Sequence, residues 1–148
     1  MKKFALLITA LFVSMGSLFA QCNDELVNIC ALDIGEATYL KDFKVRLKKA
    51  KKGKPAPVAR YSVVLNKGTH YRFSVCNAQE FEGEAILQLY DNDKLIGSTF
   101  NVATGKTYKA FDFICRKSAV YHLFFSYKEG KEGCSVGILS FVTRQDTY

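Results

Sequence analysis

From residue 38 onward, apolar and polar residues alternate with period two. TYLKDFKVRL places Phe43, Val45 and Leu47 on one side and Lys44, Arg46 and Lys48 on the other. That is the pattern of a strand with one buried face. The alternation returns in RYSVVL, HYRFSVC, EAILQLYD, KLIGSTF, TYKAFDFIC and VYHLFFSYK, and CSVGILSFV completes the set of strands. Turn formers separate these runs: NKG, DND, RKS and EGKEG, with Gly53, Pro55 and Pro57 stopping the first strand. About eight short strands at regular spacing predict an all-β antiparallel sandwich of jelly-roll type. Alternation, in place of continuous apolar runs, is what argues for antiparallel sheets.

The period changes at the front of the chain. Leu26, Ile29 and Cys30 recur at helical spacing, after Asn23 as a cap and Asp24 and Glu25 in the first turn. This predicts one short helix over about 23–32, ending before Gly35, with its apolar face over one end of the sandwich. Residues 1–20 read as a secretory signal: Lys2 and Lys3, an apolar run from Phe4 to about Val13, and Leu18-Phe19-Ala20 at the cleavage site. That run is short for a bilayer span of ~20 residues. Gln21 before Cys22 is too large for a lipoprotein cleavage motif. The expected product is a single sandwich domain over 21–148, with strands over about 38–142, a polar tail and no transmembrane span. It is exported across the inner membrane to the periplasm, the cell surface or the exterior.

Charge adds a local feature. The formal net charge is +7, and +5 once Lys2 and Lys3 are removed. Residues 41–60 hold nine Lys or Arg against one acid, Asp42, so the rest of the exported chain is slightly acidic. The protein is basic in one place. All five cysteines, Cys22, Cys30, Cys76, Cys115 and Cys134, lie beyond the signal. An oxidising compartment makes disulfides the default, and an odd count leaves one thiol unpaired within the chain. In jelly-roll order the third strand runs antiparallel to the eighth, so Cys76 and Cys134 fall at one end of one sheet. The expected pair is therefore Cys76–Cys134.

YSVVLNKGTHYRFSVC, ILQLYDNDKLIGST, YKAFDF and AVYHLFFSY together resemble the bacterial pre-peptidase C-terminal domain pattern, over roughly residues 60–142. The resemblance implies a β-sandwich and an accessory role beside a secreted enzyme. With LKDFKVRL and GCSVGILSFV included, the chain is also similar to a group of small secreted bacterial proteins of unknown function.

Catalytic motifs are missing. No G-x-S-x-G, H-E-x-x-H or phosphate-binding glycine loop occurs, and His70 and His122 have no local nucleophile. Glu80, Glu82 and Glu84 alternate before the fourth strand, as a solvated face does. Asp91, Asn92 and Asp93 can offer oxygens to calcium, but the same residues make a hairpin turn, and no cofactor is implied. The basic stretch is the strongest candidate site. Lys44, Arg46 and Lys48 share a strand face, and Lys49, Lys51, Lys52 and Lys54 carry the charge into a loop. Such a cluster attracts anionic surfaces. The expected function is a secreted, non-catalytic binding or accessory module of the cell envelope. It contacts an anionic lipid or polysaccharide; the alternative is a protein-interaction subunit of a secreted or surface assembly. Nucleic acid is an unlikely partner, because few aromatics interleave with the lysines for base stacking.

Overall fold

The computed structural model describes Cys22 and residues 24–142. The export signal expected over 1–20 and most of the polar tail lie outside the described residues. Among the described residues, one α-helix, α1 (Asp24–Ala31), continues into a 3-10 turn (Leu32–Ile34). Eight strands follow: β1 (Thr38–Leu47), β2 (Ala59–Leu65), β3 (His70–Asn77), β4 (Ala85–Asp91), β5 (Lys94–Ser98), β6 (Ala110–Ile114), β7 (Ala119–Tyr127) and β8 (Gly133–Phe141). They form two four-stranded sheets, ordered β1-β8-β3-β6 and β2-β7-β4-β5. Every pairing within them is antiparallel. This is the strand order of a jelly roll, as the alternation predicts.

The core lies between the sheets. Phe43, Val45, Phe73, Leu87, Leu89, Leu123 and Phe125 fill it from alternate positions of four strands. Polar groups inside it are satisfied: the Tyr127 hydroxyl lies 2.8 Å from the Val45 carbonyl and 2.8 Å from Ser135 Oγ, and the Leu87 N–H donates to the buried Thr99 hydroxyl at 2.9 Å. Three glycines let an aromatic ring from across the core rest on bare backbone. Gly137 faces Phe125, Gly133 faces Tyr127 and Gly97 faces Phe111.

Strand β8 departs from simple alternation, since every residue from Gly133 to Ser140 is buried. The reason is α1, which lies across the outer face of the first sheet. Cys30 and Ile34 pack there on Val136 and Ile138, with Leu26, Val27, Ala31 and Cys76 around them. Two expectations are corrected here. The helix covers a sheet face and not an end of the sandwich. Its buried stripe is Leu26, Val27, Cys30 and Ala31, while Ile29 is 53% exposed.

The disulfides are Cys22–Cys134 and Cys30–Cys76, which overturns the expected Cys76–Cys134 bridge. Strands β3 and β8 do pair antiparallel, but the register sets Cys76 opposite Val136. Cys134 is two residues further along, so the two Cα atoms are roughly 8 Å apart, beyond the ~7 Å limit for a bridge. Each cysteine is met by one from the helix segment, and α1 is bolted to the sheet near both its ends. Cys115 remains a free, buried thiol.

Candidate functional site

Alternating strand direction gathers the connections at two ends. One end has only tight turns, at 66–69, 92–93 and 115–118. The other has the long connections, 48–58, 78–84, 99–109 and 128–132. Backbone bonds fasten three of these, and side-chain bonds add the connection at 99–109. The Ala50 N–H donates to the Gly130 carbonyl at 2.8 Å, Gly83 N–H to the Glu132 carbonyl at 2.8 Å, and Lys128 N–H to the Glu84 carbonyl at 2.9 Å. The Lys128 ammonium reaches the Gly105 carbonyl at 3.2 Å, and the Thr107 hydroxyl donates to the Glu84 carboxylate.

The basic stretch belongs to this end, and the fold divides it. Lys44 is ion-paired with Asp24 of α1 at 2.6 Å. That contact raises the Lys44 ammonium and lowers the Asp24 carboxyl from their ordinary pKa values. Arg46 lies 3.7 Å from Glu132, and its guanidinium sits 5.1 Å over the Phe81 ring. Strand alternation thus delivers Lys44 and Arg46 to partners within the protein. Lys48, Lys49, Lys51, Lys52 and Lys54 are exposed, and no ion pair among the described residues engages them. Their loop is held at its base. Gly130 has φ +65, and a Cβ there would come within 2.8 Å of the Ala50 side chain, so a glycine lets the two turns touch.

Beside the lysines lies a trough of about 430 Å³. Lys49 and Lys131 border it, Phe81 contributes its apolar surface, and Glu80, Glu82, Glu129 and Glu132 complete the lining. Glu129 holds a positive φ of 59° in the tight turn at 128–130. The alternating acids therefore part company: Glu80 and Glu82 face the trough, while Glu84 is tied to Thr107. Phe81, Glu129, Lys131 and Glu132 were not candidates from the sequence. EGKEG reads there as a turn, and only the jelly-roll path brings it beside the lysine loop.

Other candidates lie elsewhere and are engaged differently. Asp91, Asn92 and Asp93 close the β4–β5 hairpin at the tight-turn end, and Asp91 is paired with Lys117 at 2.9 Å. Among the described residues, no group of three His, Cys, Asp or Glu is placed to hold a metal ion. His70 lies on the outer face of the first sheet, 3.0 Å from Asp112. Arg72 grips the same carboxylate at 2.7 and 2.9 Å and lowers its pKa. His122 lies on the second sheet, 3.1 Å from Ser62 Oγ. The two histidines are thus on opposite sheets, with Cys115 sealed away from both.

No family model matches the chain, which leaves the pre-peptidase resemblance at the level of β-sandwich architecture. No curated protein matches it either. Among solved structures it is similar to Aeromonas hydrophila PliG, a periplasmic lysozyme inhibitor of g-type lysozyme. The TM-score is 0.52 at 9% identity, covering 71% of this chain and 88% of that one. At that identity the likeness is one of fold.

Proposed function

We propose that the chain is an exported, non-catalytic binding protein that captures a protein partner with its long-loop end. The observation that carries this is the mixed character of that end. Five lysines with no ion pair among the described residues stand on an anchored loop, beside a trough lined by four glutamates, a phenylalanine and two bordering lysines. A flat anionic membrane would meet the lysines but be repelled by Glu80, Glu82 and Glu129, and it could not enter the trough. A folded partner can present acidic groups to the lysines and a projecting side chain to the trough. The structural neighbour is an inhibitor of a lysozyme, which supports an enzyme as partner. Glycoside hydrolases hold paired carboxylates in an open cleft, and a lysine loop is the complementary shape and charge for one. Two disulfides support an oxidising compartment as the place of action.

The test is inhibition and binding against a panel of exported glycan hydrolases, g-type lysozyme included, at two salt concentrations. Anionic liposomes and heparin serve as comparators. Binding to a hydrolase should weaken with salt, and Lys51→Glu with Lys52→Glu and Lys54→Glu should slow association at least tenfold. Unchanged association in that triple variant would refute the reading. A second reading, capture of an anionic lipid or polysaccharide, is favoured by the density of lysine over 48–54 alone. Salt-sensitive binding to liposomes or heparin, with no hydrolase bound, would select it.

A further inference from the structure

The two sheets differ in what lies on their outer faces. The first carries Lys44, Arg46, Arg72 and Asp112 and is crossed by α1. The second is crossed by no described element. Its outward positions follow from the alternate burial of β2, β7 and β4 and from their register. Val64 pairs directly with Val120, and the two are 69% and 49% exposed. Tyr90 pairs with Leu95, which is 43% exposed. Tyr90 and Phe124 pack ring on ring at 4.7 Å, and the Arg60 guanidinium lies 5.0 Å over Phe124. The remaining outward groups include Ser62, His122 and Gln88. Among the described residues, no Lys, Asp or Glu of these three strands takes an outward position, in a chain whose residues are 24% charged. Depletion of charge together with aromatic residues and a stacked arginine is the composition of an interface core.

We infer that this face is the contact between two copies of the chain, packed sheet to sheet about a two-fold axis. Two features select a second copy. The first is charge: the excess lysines stand on the loop at the long-loop end, so two copies can meet through this face without opposing them. Arg60, at the β2 edge, is the one Lys, Arg, Asp or Glu that its described strands turn outward. The second is area. Four strands at ~4.8 Å and seven residues at ~3.3 Å give a footprint of roughly 19 by 23 Å. Counted on both copies and with side-chain relief, that reaches the ~1,000 Å² total that a specific interface must clear. A two-fold contact uses the same patch twice and closes on itself. It also leaves the long-loop end free, so it stands independently of the proposed function.

Sedimentation equilibrium of the exported chain from about 1 to 300 µM tests it. A dimer mass should appear within that range. Val120→Glu and Val64→Glu should each weaken it by about 100-fold or more, because two unpaired carboxylates would be buried at the contact. Lys51→Glu, at the loop end, should leave it unchanged. The two histidines give a readout that needs no variant. Modification of His122 by diethylpyrocarbonate should accelerate on dilution, while His70 on the other sheet reacts at a constant rate. A chain monomeric at 300 µM, a dimer indifferent to Val120→Glu, or a monomer that binds a glycan through this face would each overturn the inference.

Discussion

Adding one methyl group to Gly137 tests how the two sheets are fitted together. Gly137 sits mid-way along β8, and its core side touches the Phe125 ring of the opposite sheet. A Cβ there would lie 2.4 Å from Phe125 Cζ and 2.5 Å from Cε1. Comfortable carbon contacts begin at about 3.5 Å, so the ring would have to retreat by about 1 Å. It has nowhere to go: Phe125 is 1% exposed and boxed in by Phe43 and Tyr61, at centroid distances of 6.0 and 5.7 Å. Overpacking of this kind costs about 1–3 kcal/mol. The backbone at Gly137 is not in the left-handed region, so alanine also restricts the unfolded chain, a gain of about 0.4–1 kcal/mol. The clash wins, and Gly137→Ala should be destabilised by about 1–2 kcal/mol.

For a domain of this size that is a fall in Tm of roughly 4–10 °C, read by circular dichroism under non-reducing conditions. A double-mutant cycle assigns the cause. Phe125→Leu alone opens a cavity, but together with Gly137→Ala the new methyl group occupies the vacated space. The pair should therefore couple favourably, by about 1 kcal/mol or more. A Gly137→Ala variant as stable as the parent, or a cycle that is simply additive, would refute the ring-on-backbone packing.

Three further outcomes follow from the described contacts. Replacing Cys30 and Cys76 by alanine removes a link spanning 46 residues and should lower stability by about 2–4 kcal/mol; a loss under about 1 kcal/mol would mean that the link constrains little, and non-reduced peptide maps should give 22–134 and 30–76. Burial pushes the Tyr127 hydroxyl up to about 12, and Tyr121 likewise, so at least two tyrosines should ionise late in an absorbance titration. Because the folded value lies above the ordinary one near 10, this stability is complete below pH 10 and is lost as pH rises through 12; a single tyrosine transition near 10 in still-folded protein contradicts it. A thiol reagent should find less than about a tenth of an equivalent in the native chain and one equivalent, Cys115, after denaturation; prompt reaction in the native state would show that Cys115 is not sealed.

The strands were legible because each obeys a rule that needs no partner. Phe43 and Val45 turn inward and Lys44 and Arg46 outward by alternation alone. The helix was legible as an element but not as a placed one. Leu26, Ile29 and Cys30 make an acceptable stripe, and so do Val27, Cys30 and Ala31; the choice belongs to the sheet that receives them. The run in β8 held the missing clue. GCSVGIL does not alternate polar with apolar, and a strand that fails to alternate is one covered on both faces. A cover for that strand had to come from outside the two sheets, and the cysteine-flanked helix was the element left over. Placing it there pairs Cys22 with Cys134 and Cys30 with Cys76, and it lays Asp24 against Lys44. The same step removes the strand half of the basic stretch from the candidate site and leaves the loop half beside the trough. Helix position, disulfide pairing and the extent of the binding surface are therefore one decision, made by the double burial of β8.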